Sequence, residues 1–361
     1  MLRVDTERRF LPRFENRGLA PRTYQEKYAE SQALVNEINK SRDKLSPGEA
    51  LWLDLLQAWL SGNLNERHIL VKQLFVQANA DPYWSYELEL EANNNNFPRE
   101  AVEAFKRIPL EDEMWKTWGA QWGVVTSAYH SLGEFRNELK AARRARKERP
   151  ESLSRLWYEV RSLCGLGRMK DINRLIEESK ALPPQTGYSP GNIMYLAGRD
   201  LRAHGFKKES LDVLERARQW YESRPQDEKS TSDSRNSFCF VLMYLERWPE
   251  ALAVFESLHK EYPSNASYLS NYGSLAAITG DREKAIDISK QLAEIKPAFR
   301  AGTPTYYRAL IAAFLGEKEN AVALLRQAIG QGYTYPSVHG AMAWERLADY
   351  PPFIQLMKPK G

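Results

Sequence analysis

The sequence predicts an all-α fold: a right-handed superhelical solenoid of about eight helix pairs with a C-terminal cap. Two ladders of turn-forming residues, in phase with each other, carry this prediction. Glycines between helical patterns recur at steps of 34, 38 and, later in the chain, 36 residues, at Gly133, Gly167, Gly205, Gly280 and Gly316. Prolines that close the units follow at steps of 34, 41, 38 and 34 residues, at Pro150, Pro184, Pro225, Pro263 and Pro297. A period near 34 residues with two helices in each unit is typical of stacked helical repeats.

Composition fits a folded array and argues against several other classes of protein. The 361 residues are many for one compact core but normal for stacked units. Hydrophobic residues make up 43%, and the net charge of +4 is too small to indicate nucleic acid by itself. The two cysteines lack the spacing of a disulfide scaffold or a zinc site. No apolar run is long enough to span a bilayer, and the amino terminus lacks a signal peptide pattern, so we expect a cytoplasmic protein without membrane contact.

The first 112 residues lead into the regular units. Residues 1–21 are predicted to form an arm or linker, because arginines and the helix breakers Pro12 and Pro21 replace apolar periodicity. Residues 22–112 are predicted to hold a leading helix and degenerate repeats. Four consecutive asparagines, residues 93–96, stand where a glycine turn would be, and Asn tolerates the left-handed backbone of such a turn.

Residues 113–335 hold the clearest repeats. Small residues recur in their first helices, as at Gly198 and Gly273, and early in their second helices. The second set comprises Ala251, Ala285 and Ala321. A large side chain at either kind of position would force two packed helices apart, so we expect these residues to mark the helix crossings.

Two segments depart from the repeat. The Ser- and charge-rich residues 222–235 lengthen one unit and predict a longer loop, with Asp233 or Ser234 near the next helix start. Residues 336–361, called the tail below, are predicted to cap the last unit with apolar side chains. These side chains are Met342, Trp344, Leu347, Phe353, Leu356 and Met357.

These motifs make residues 113–330 resemble the tetratricopeptide repeat family. The ending LADYPPFIQLMKPKG, residues 347–361, resembles the C-terminal end of repeat regions in large bacterial signalling proteins. In that group the repeats follow a kinase, a nucleotide cyclase or a DNA-binding transcription-regulator domain, none of whose motifs occurs in this sequence. The resemblance implies a partner-docking or sensory module, either isolated or the regulatory part of a larger signalling enzyme.

Residue types that carry catalysis or bind metals show no pattern of either kind. The histidines lie in different units, without HExxH or paired i, i+4 spacing. They are His68, His130, His204, His259 and His339. GxSxG, Walker and strand-associated GxGxxG sequences are absent as well. The sequence therefore predicts no catalytic residue, no metal site and no cofactor, and a protein that is not an enzyme.

The resemblance also selects a binding surface. In tetratricopeptide arrays the first helix of each unit lines the concave groove, and side chains one and five residues after its early bulky position face that groove. This register selects Trp157, Arg161, Tyr195, Arg199, Asn236, Phe240 and Tyr306, and Arg202 joins them one helical turn after Arg199. Arginine forks and aromatic platforms suit an extended protein or peptide segment with acidic residues. The alternative is that these rings pack between units while the arginines pair with neighbouring acids.

One strongly basic helix offers a second surface. Residues 136–149 contain seven basic and two acidic residues. The candidate contacts to an acidic partner or nucleic acid are Arg136, Lys140, Arg143, Arg144 and Lys147. The alternative interpretation, which the spacing favours, is a solvated outer face whose Leu139, Ala142 and Ala145 pack inward.

Overall fold

The computed structural model describes residues 21–185, 187–297 and 302–361, with side chains from residue 28 onward. These residues are overwhelmingly helical, and the one strand-like feature among them is an isolated bridge between Gln185 and Tyr188. Of the predicted arm, residues 1–20 lie outside the described part of the chain. Residue 21 already begins the leading helix.

Eight helix pairs follow a leading helix, α1 (Pro21–Asn39). They are α2 (Pro47–Ser61) with α3 (Leu64–Gln77), α4 (Pro82–Asn94) with α5 (Pro98–Phe105), and, after the short α6 (Glu113–Trp118), α7 (Gln121–Ser131) with α8 (Phe135–Glu148), α9 (Leu153–Gly165) with α10 (Met169–Ser179), and α11 (Pro190–Ala203) with α12 (Lys207–Glu222). After the short α13 (Gln226–Ser230) come α14 (Ser232–Tyr244) with α15 (Trp248–Glu261), α16 (Ala266–Thr279) with α17 (Arg282–Glu294), and α18 (Gly302–Phe314) with α19 (Lys318–Gly330). The predicted all-α solenoid is confirmed.

Caps and left-handed turns set the ends of these helices. At the start of α2, Ser46 and Glu49 form a reciprocal capping box, which satisfies two backbone N–H groups that the helix cannot. All five glycines of the ladder have positive φ, between 63° and 91°. This conformation stops the first helix and turns the chain into the second, and a side chain there would strain the backbone.

The small residues lie at the helix crossings, as the sequence predicts. Ala251, Ala285 and Ala321 are completely buried. At Gly198 in α11, an added Cβ atom would lie 2.5 Å from Cγ of Leu214 in α12, closer than two carbon atoms can pack. The helices of each pair therefore approach more closely than larger residues would allow.

The long loop predicted for residues 222–235 contains one helical turn, α13. It is followed directly by α14, whose start is capped by Thr231, since the hydroxyl of Thr231 accepts a hydrogen bond from the amide of Ser234 at 3.2 Å. The predicted start near Ser234 is thus within two residues of the observed one. A local cap converts most of the expected loop into helix.

The tail covers the last helix pair and then continues beyond it. It comprises the 3-10 turn Met342–Leu347 and a final helix, α20 (Pro351–Met357). Met342, Trp344 and Leu347 are buried, and the Trp344 ring stacks on Phe353 with centroids 5.3 Å apart. The apolar cap is as predicted, but the sequence did not predict the path of the tail.

The last helix pair also meets the first. The turn after α19 brings Gly332 against Gly62, which ends α2, so closely that a Cβ atom at Gly332 would lie 2.7 Å from the Gly62 carbonyl oxygen. Both glycines have positive φ, 93° and 72°. Further along, the turn Tyr335–Ser337 packs on α4. The solenoid therefore closes on itself, with the tail running along its inner face.

Candidate functional site

The inner face is formed by the first helices of the pairs, and we call this surface the concave groove. The tail lies in it as an extended segment and two short helical turns. The hydroxyl of Tyr244, at the end of α14, donates to the carbonyl oxygen of Gly340 at 2.6 Å and accepts from the backbone N–H of Met342 at 3.1 Å. One tyrosine thus binds two peptide groups of the tail, contacts that any extended chain could make.

An arginine of the groove binds a carboxylate of the tail. Arg202 in α11 donates from Nε and Nη2 to the two carboxylate oxygens of Glu345, at 2.7 and 3.1 Å. Its Nη2 also reaches Glu246 at 2.9 Å. Burial by itself lowers the pKa of the guanidinium, but the hydrogen bonds that it donates to Glu345 and Glu246 outweigh this effect and raise the pKa. The forked geometry is the one by which arginine selects carboxylates.

Aromatic rings line the same stretch of the groove. Tyr195 lies 5.7 Å from Phe240 in a stacked arrangement, and the guanidinium of Arg199 lies 6.0 Å from the Tyr195 ring. Tyr306 stacks on Tyr333, just before the tail, at 4.0 Å. These rings supply rigid contact area at small entropic cost.

The end of the tail is fixed to the N-terminal repeats. The side-chain amide of Asn96 donates to the carbonyl of Lys358 at 2.8 Å, and the backbone N–H of Lys360 donates to the carbonyl of Asn96 at 2.8 Å. Asn96 has φ of 67°, so the predicted turn role of the asparagine run is confirmed. Its second role, in binding the tail, could not be predicted from the sequence.

The structure brings together five of the eight residues selected for the groove. Tyr195, Arg199, Arg202, Phe240 and Tyr306 lie together along the path of the tail. The predicted groove position of Trp157 is wrong. Trp157 is buried in the core between α9 and its neighbours, because its ring fills the space between units. Arg161 is turned toward Glu138, and Asn236 is partly buried with no contact to the tail among those described.

A polar cluster beside the groove was missed by sequence reasoning. The Nδ1 atom of His130, in α7, forms a hydrogen bond of 2.9 Å with a carboxylate oxygen of Glu138. Its Nε2 atom lies 3.4 Å from Oδ1 of Asp200. His204, at the end of α11, places its Nε2 3.3 Å from the Nε2 of His130 and 3.7 Å from Oδ2 of Asp200. Arg161 pairs with the other Glu138 oxygen at 2.7 Å. Asp200 and His204 have the i, i+4 spacing that could have drawn attention, but His130 comes from another unit.

Burial and charge act in opposite directions in this cluster. Burial would lower the pKa of His130, but its hydrogen bonds with Asp200 and Glu138 raise it to about 9. The pKa of Asp200 is lowered, since its contact with His130 outweighs its burial. His204 has a lowered pKa because of its burial. The cluster thus holds positive charge at His130 between two carboxylates.

Three of the seven basic residues in the basic helix, residues 136–149, pair with acids. Arg143 donates to Glu159 at 3.0 Å, and Arg144 donates to Glu111 at 2.6 Å. In contrast, Arg136, Lys140 and Lys147 are exposed and form no ion pair within the described residues. Leu139, Ala142 and Ala145 are buried, as the outer-face interpretation predicts.

Similarity to known proteins is confined to the fold. No protein-family model and no curated protein matches the sequence. Among solved structures, a human IFIT1 dimer with PPP-AAAA is 14% identical over 98% of this chain and 85% of that chain, with a TM-score of 0.38. The APC/C hetero-tetramer Cut9–Hcn1 is 14% identical over 86% and 65%, with a TM-score of 0.32. Naa15/Naa10 bound to HypK is 14% identical over 93% and 57%, with a TM-score of 0.31.

Such low values carry no argument about function. The helix pairs, their period and their crossings make the chain a tetratricopeptide-like helical repeat. No helix in the described part of the chain combines the length and apolar character that a bilayer span requires.

Proposed function

We propose that the concave groove binds an extended, acidic segment of a partner protein, and that the tail occupies this groove until such a segment competes for it. The observation that supports this most directly is the forked contact between Arg202 and Glu345. The chain would then act as a non-catalytic scaffold. The tail, which lies in the groove and presents Glu345 to Arg202, supports this choice of segment.

The contacts of the tail divide into general and selective ones. Tyr244 binds peptide groups at Gly340 and Met342, which every partner backbone would supply. Arg202 requires a carboxylate, which only some segments supply. Arg199 lies beside Gly340, and its buried Nε has no hydrogen-bond partner among the described residues. A partner with a second acceptor there would satisfy a donor that the tail leaves unpaired, and so could displace it.

A competition experiment tests the proposal. The probe is a labelled peptide with the sequence of residues 338–347, VHGAMAWERL, and a second peptide with Gln in place of its Glu. In the full chain, Glu345→Gln removes the selective contact of the tail while leaving the groove intact. We expect this variant to bind the acidic probe at least about tenfold more tightly than the parent, because the internal competitor is weakened. The Gln peptide should bind weakly to both proteins.

Two matched variants complete the experiment. Arg202→Gln, added to Glu345→Gln, should abolish the preference for the acidic probe. Asp349→Asn changes another tail carboxylate, which pairs with Lys318 outside the groove at 3.0 Å, and should leave probe binding at the parent level. Circular dichroism checks that each variant folds. Equal binding of both probes by all proteins would contradict the proposal, and the exposed cations Arg136, Lys140 and Lys147 would then be tested for nucleic acid.

The biological setting is a further part of the proposal. The resemblance of residues 347–361 to the ends of bacterial signalling repeats supports a role in signalling or complex assembly, in the cytoplasm. In such a setting a self-occupied groove provides a resting state. A partner, or a neighbouring domain of a larger signalling enzyme, would convert it to the open state.

A further inference from the structure

Two imidazoles and a carboxylate converge beside the groove without any repeat motif to explain them. The nitrogen atoms Nε2 of His130 and Nε2 of His204 lie 3.3 Å apart. Asp200 places its two oxygens 3.4 Å from the first nitrogen and 3.7 Å from the second. These three residues offer ligand atoms that all lie within 4.8 Å of one another. We propose that His130, Asp200 and His204 bind one divalent transition-metal ion of the Zn²⁺ class.

The distances fit a tetrahedral ion. With bonds of about 2.0–2.1 Å to nitrogen and oxygen, neighbouring ligands of a tetrahedral Zn²⁺ lie about 3.3–3.4 Å apart. The two imidazole nitrogens are 3.3 Å apart, close to this value, and each has a different oxygen of Asp200 at 3.4 or 3.7 Å. An octahedral ion such as Mg²⁺ prefers a shell made of oxygen ligands, whereas two of the three ligands here are imidazole nitrogens. Two imidazoles with one carboxylate instead match the ligand set of zinc sites that retain an open position.

The surroundings prepare His130 as a ligand. The Nδ1 atom of His130 lies 2.9 Å from a carboxylate oxygen of Glu138. When metal binding displaces a proton from the ring, Nδ1 keeps its proton toward Glu138 and Nε2 presents a lone pair to the ion. Glu138 is completely buried, and its other oxygen is held by Arg161 at 2.7 Å. Glu138 is therefore a positioning residue, of the kind that orients metal-bound histidines.

Asp200 has unused capacity to bind a cation. Its Oδ2 is buried and has no hydrogen-bond partner within the described residues, a costly arrangement for a carboxylate. Once His130 has released its proton, Glu138, Asp200 and Arg161 together leave one net negative charge, which suits a cation. The side chains of His130 and His204 keep 17% and 23% of their surface exposed, so an ion can enter from the groove. The ring of Phe135 packs against both imidazoles, at 5.3 and 4.9 Å, and fixes their mutual orientation.

Two other side chains lie close enough to be considered as a fourth ligand of the ion. His339 of the tail interacts electrostatically with both His130 and Asp200. The thiol of Cys164 is buried nearby and donates to a backbone carbonyl at 3.7 Å, so it is not counted among the ligands. Water or an added ligand takes the fourth position in this proposal. None of the three ligands is among the groove residues that hydrogen-bond to the tail, so the metal site can be tested separately from partner binding.

Titration of the full-length protein with Co²⁺, after treatment with a chelator, tests the site. Tetrahedral Co²⁺ gives intense visible d–d bands, whereas the hydrated ion gives weak ones. We expect one Co²⁺ per chain with the intense bands, displaced by Zn²⁺, and a rise in melting temperature with added ZnCl₂. His204→Gln and Asp200→Asn should each weaken binding by about 100-fold or more. His204 is partly exposed, and Asn has nearly the same shape as Asp. We therefore expect both variants to fold, and circular dichroism checks this.

Matched variants separate ligands from positioning and from surface binding. His259→Gln alters a histidine of α15 that stacks on Tyr272, far from the cluster in sequence, and should leave Co²⁺ binding unchanged. Glu138→Gln should weaken affinity by about 10–100-fold while keeping the intense bands, because it alters the orientation and basicity of His130 without removing a ligand. No Co²⁺ binding by the parent, or the same affinity in His204→Gln, would overturn the proposal.

Discussion

Small side chains decide where two helices of this solenoid can cross. Ala285 near the start of α17 has no exposed surface. At Gly273 of the preceding helix, α16, an added Cβ atom would meet Ile288 of α17 at 2.7 Å. Neither position has space for a larger side chain. The pattern of small residues therefore determines how closely the two helices of a pair approach.

Substitution of one crossing residue should therefore destabilise the whole protein. Ala285→Arg introduces a charge and several heavy atoms where no space exists, and we expect it to cost about 3 kcal/mol or more. Thermal melting followed by circular dichroism measures the effect. Lys290→Ala, on the exposed face of the same helix, is the control and should stay within about 0.5 kcal/mol of the parent. A parent-like melting temperature for Ala285→Arg would contradict the assigned phase of the repeats.

One buried acid works against stability. Glu89 in α4 has no exposed surface, and neither of its carboxylate oxygens has a hydrogen-bond partner in the described structure. Burial raises its pKa well above the usual range. The folded protein therefore keeps a proton on Glu89 that the unfolded chain releases above about pH 4.3.

This difference gives a pH-dependent prediction. Because the folded state binds the extra proton, stability falls as the pH rises above about 4.3, until the folded-state pKa is reached. Glu89→Leu should stabilise the protein by about 1–3 kcal/mol at neutral pH, since it removes an unsatisfied polar group. Urea denaturation at pH 7 and at pH 4.5 measures both values. The gain should shrink at the lower pH, and a gain that grew on acidification would contradict this account.

The tail does more than form the cap that the sequence predicts, since it also contacts other units. Its apolar residues Met342, Trp344 and Leu347 cover α18, and its polar contacts reach α11 and α14. Deletion of residues 336–361 should expose the face formed by Tyr306 and Ala309, and the truncated chain should melt at a lower temperature or aggregate. Size-exclusion chromatography with thermal melting tests this. A soluble monomer with unchanged melting would show that the tail is a free segment and not a cap.

The closure of the solenoid depends on a backbone contact between Gly332, after the last helix pair, and Gly62, in the first pair. Gly332→Ala places a Cβ atom at 2.7 Å from the Gly62 carbonyl and forces a residue with positive φ to carry a side chain. We expect a loss of about 1–3 kcal/mol, and weaker protection of the Tyr335–Ser337 turn in hydrogen–deuterium exchange.

Gly330→Ala is the matched control for this change. An added Cβ atom at Gly330 in α19 meets no atom within 4 Å, and its φ is not positive. This variant should be neutral or slightly stabilising, as an alanine inside a helix is. Equal losses at both positions would show that the contact with Gly62 contributes little.

The repeats could be predicted because each carries its own local signal. Gly133, Gly167 and their counterparts repeat at nearly constant steps, and the second-helix alanines follow in phase. The contact between Asn96 and Lys358 joins residues 262 positions apart and recurs nowhere, so no period reveals it. The same holds for His130 and Asp200, which come from different units and meet only through the curvature of the array. Trp157 was misplaced because register alone does not distinguish a ring that faces the groove from one that lies between units.

The link between Asn96 and the end of the chain has a kinetic consequence. An open array forms through contacts between neighbours in sequence, so its contact order is low and folding can start in any unit. A contact that spans 262 residues would be slow to form in an unfolded chain, because of the entropy of closing so long a loop. In the finished array that entropy has already been lost, and only the tail remains to be ordered. We therefore expect its docking to be the last step of folding and the first to reverse.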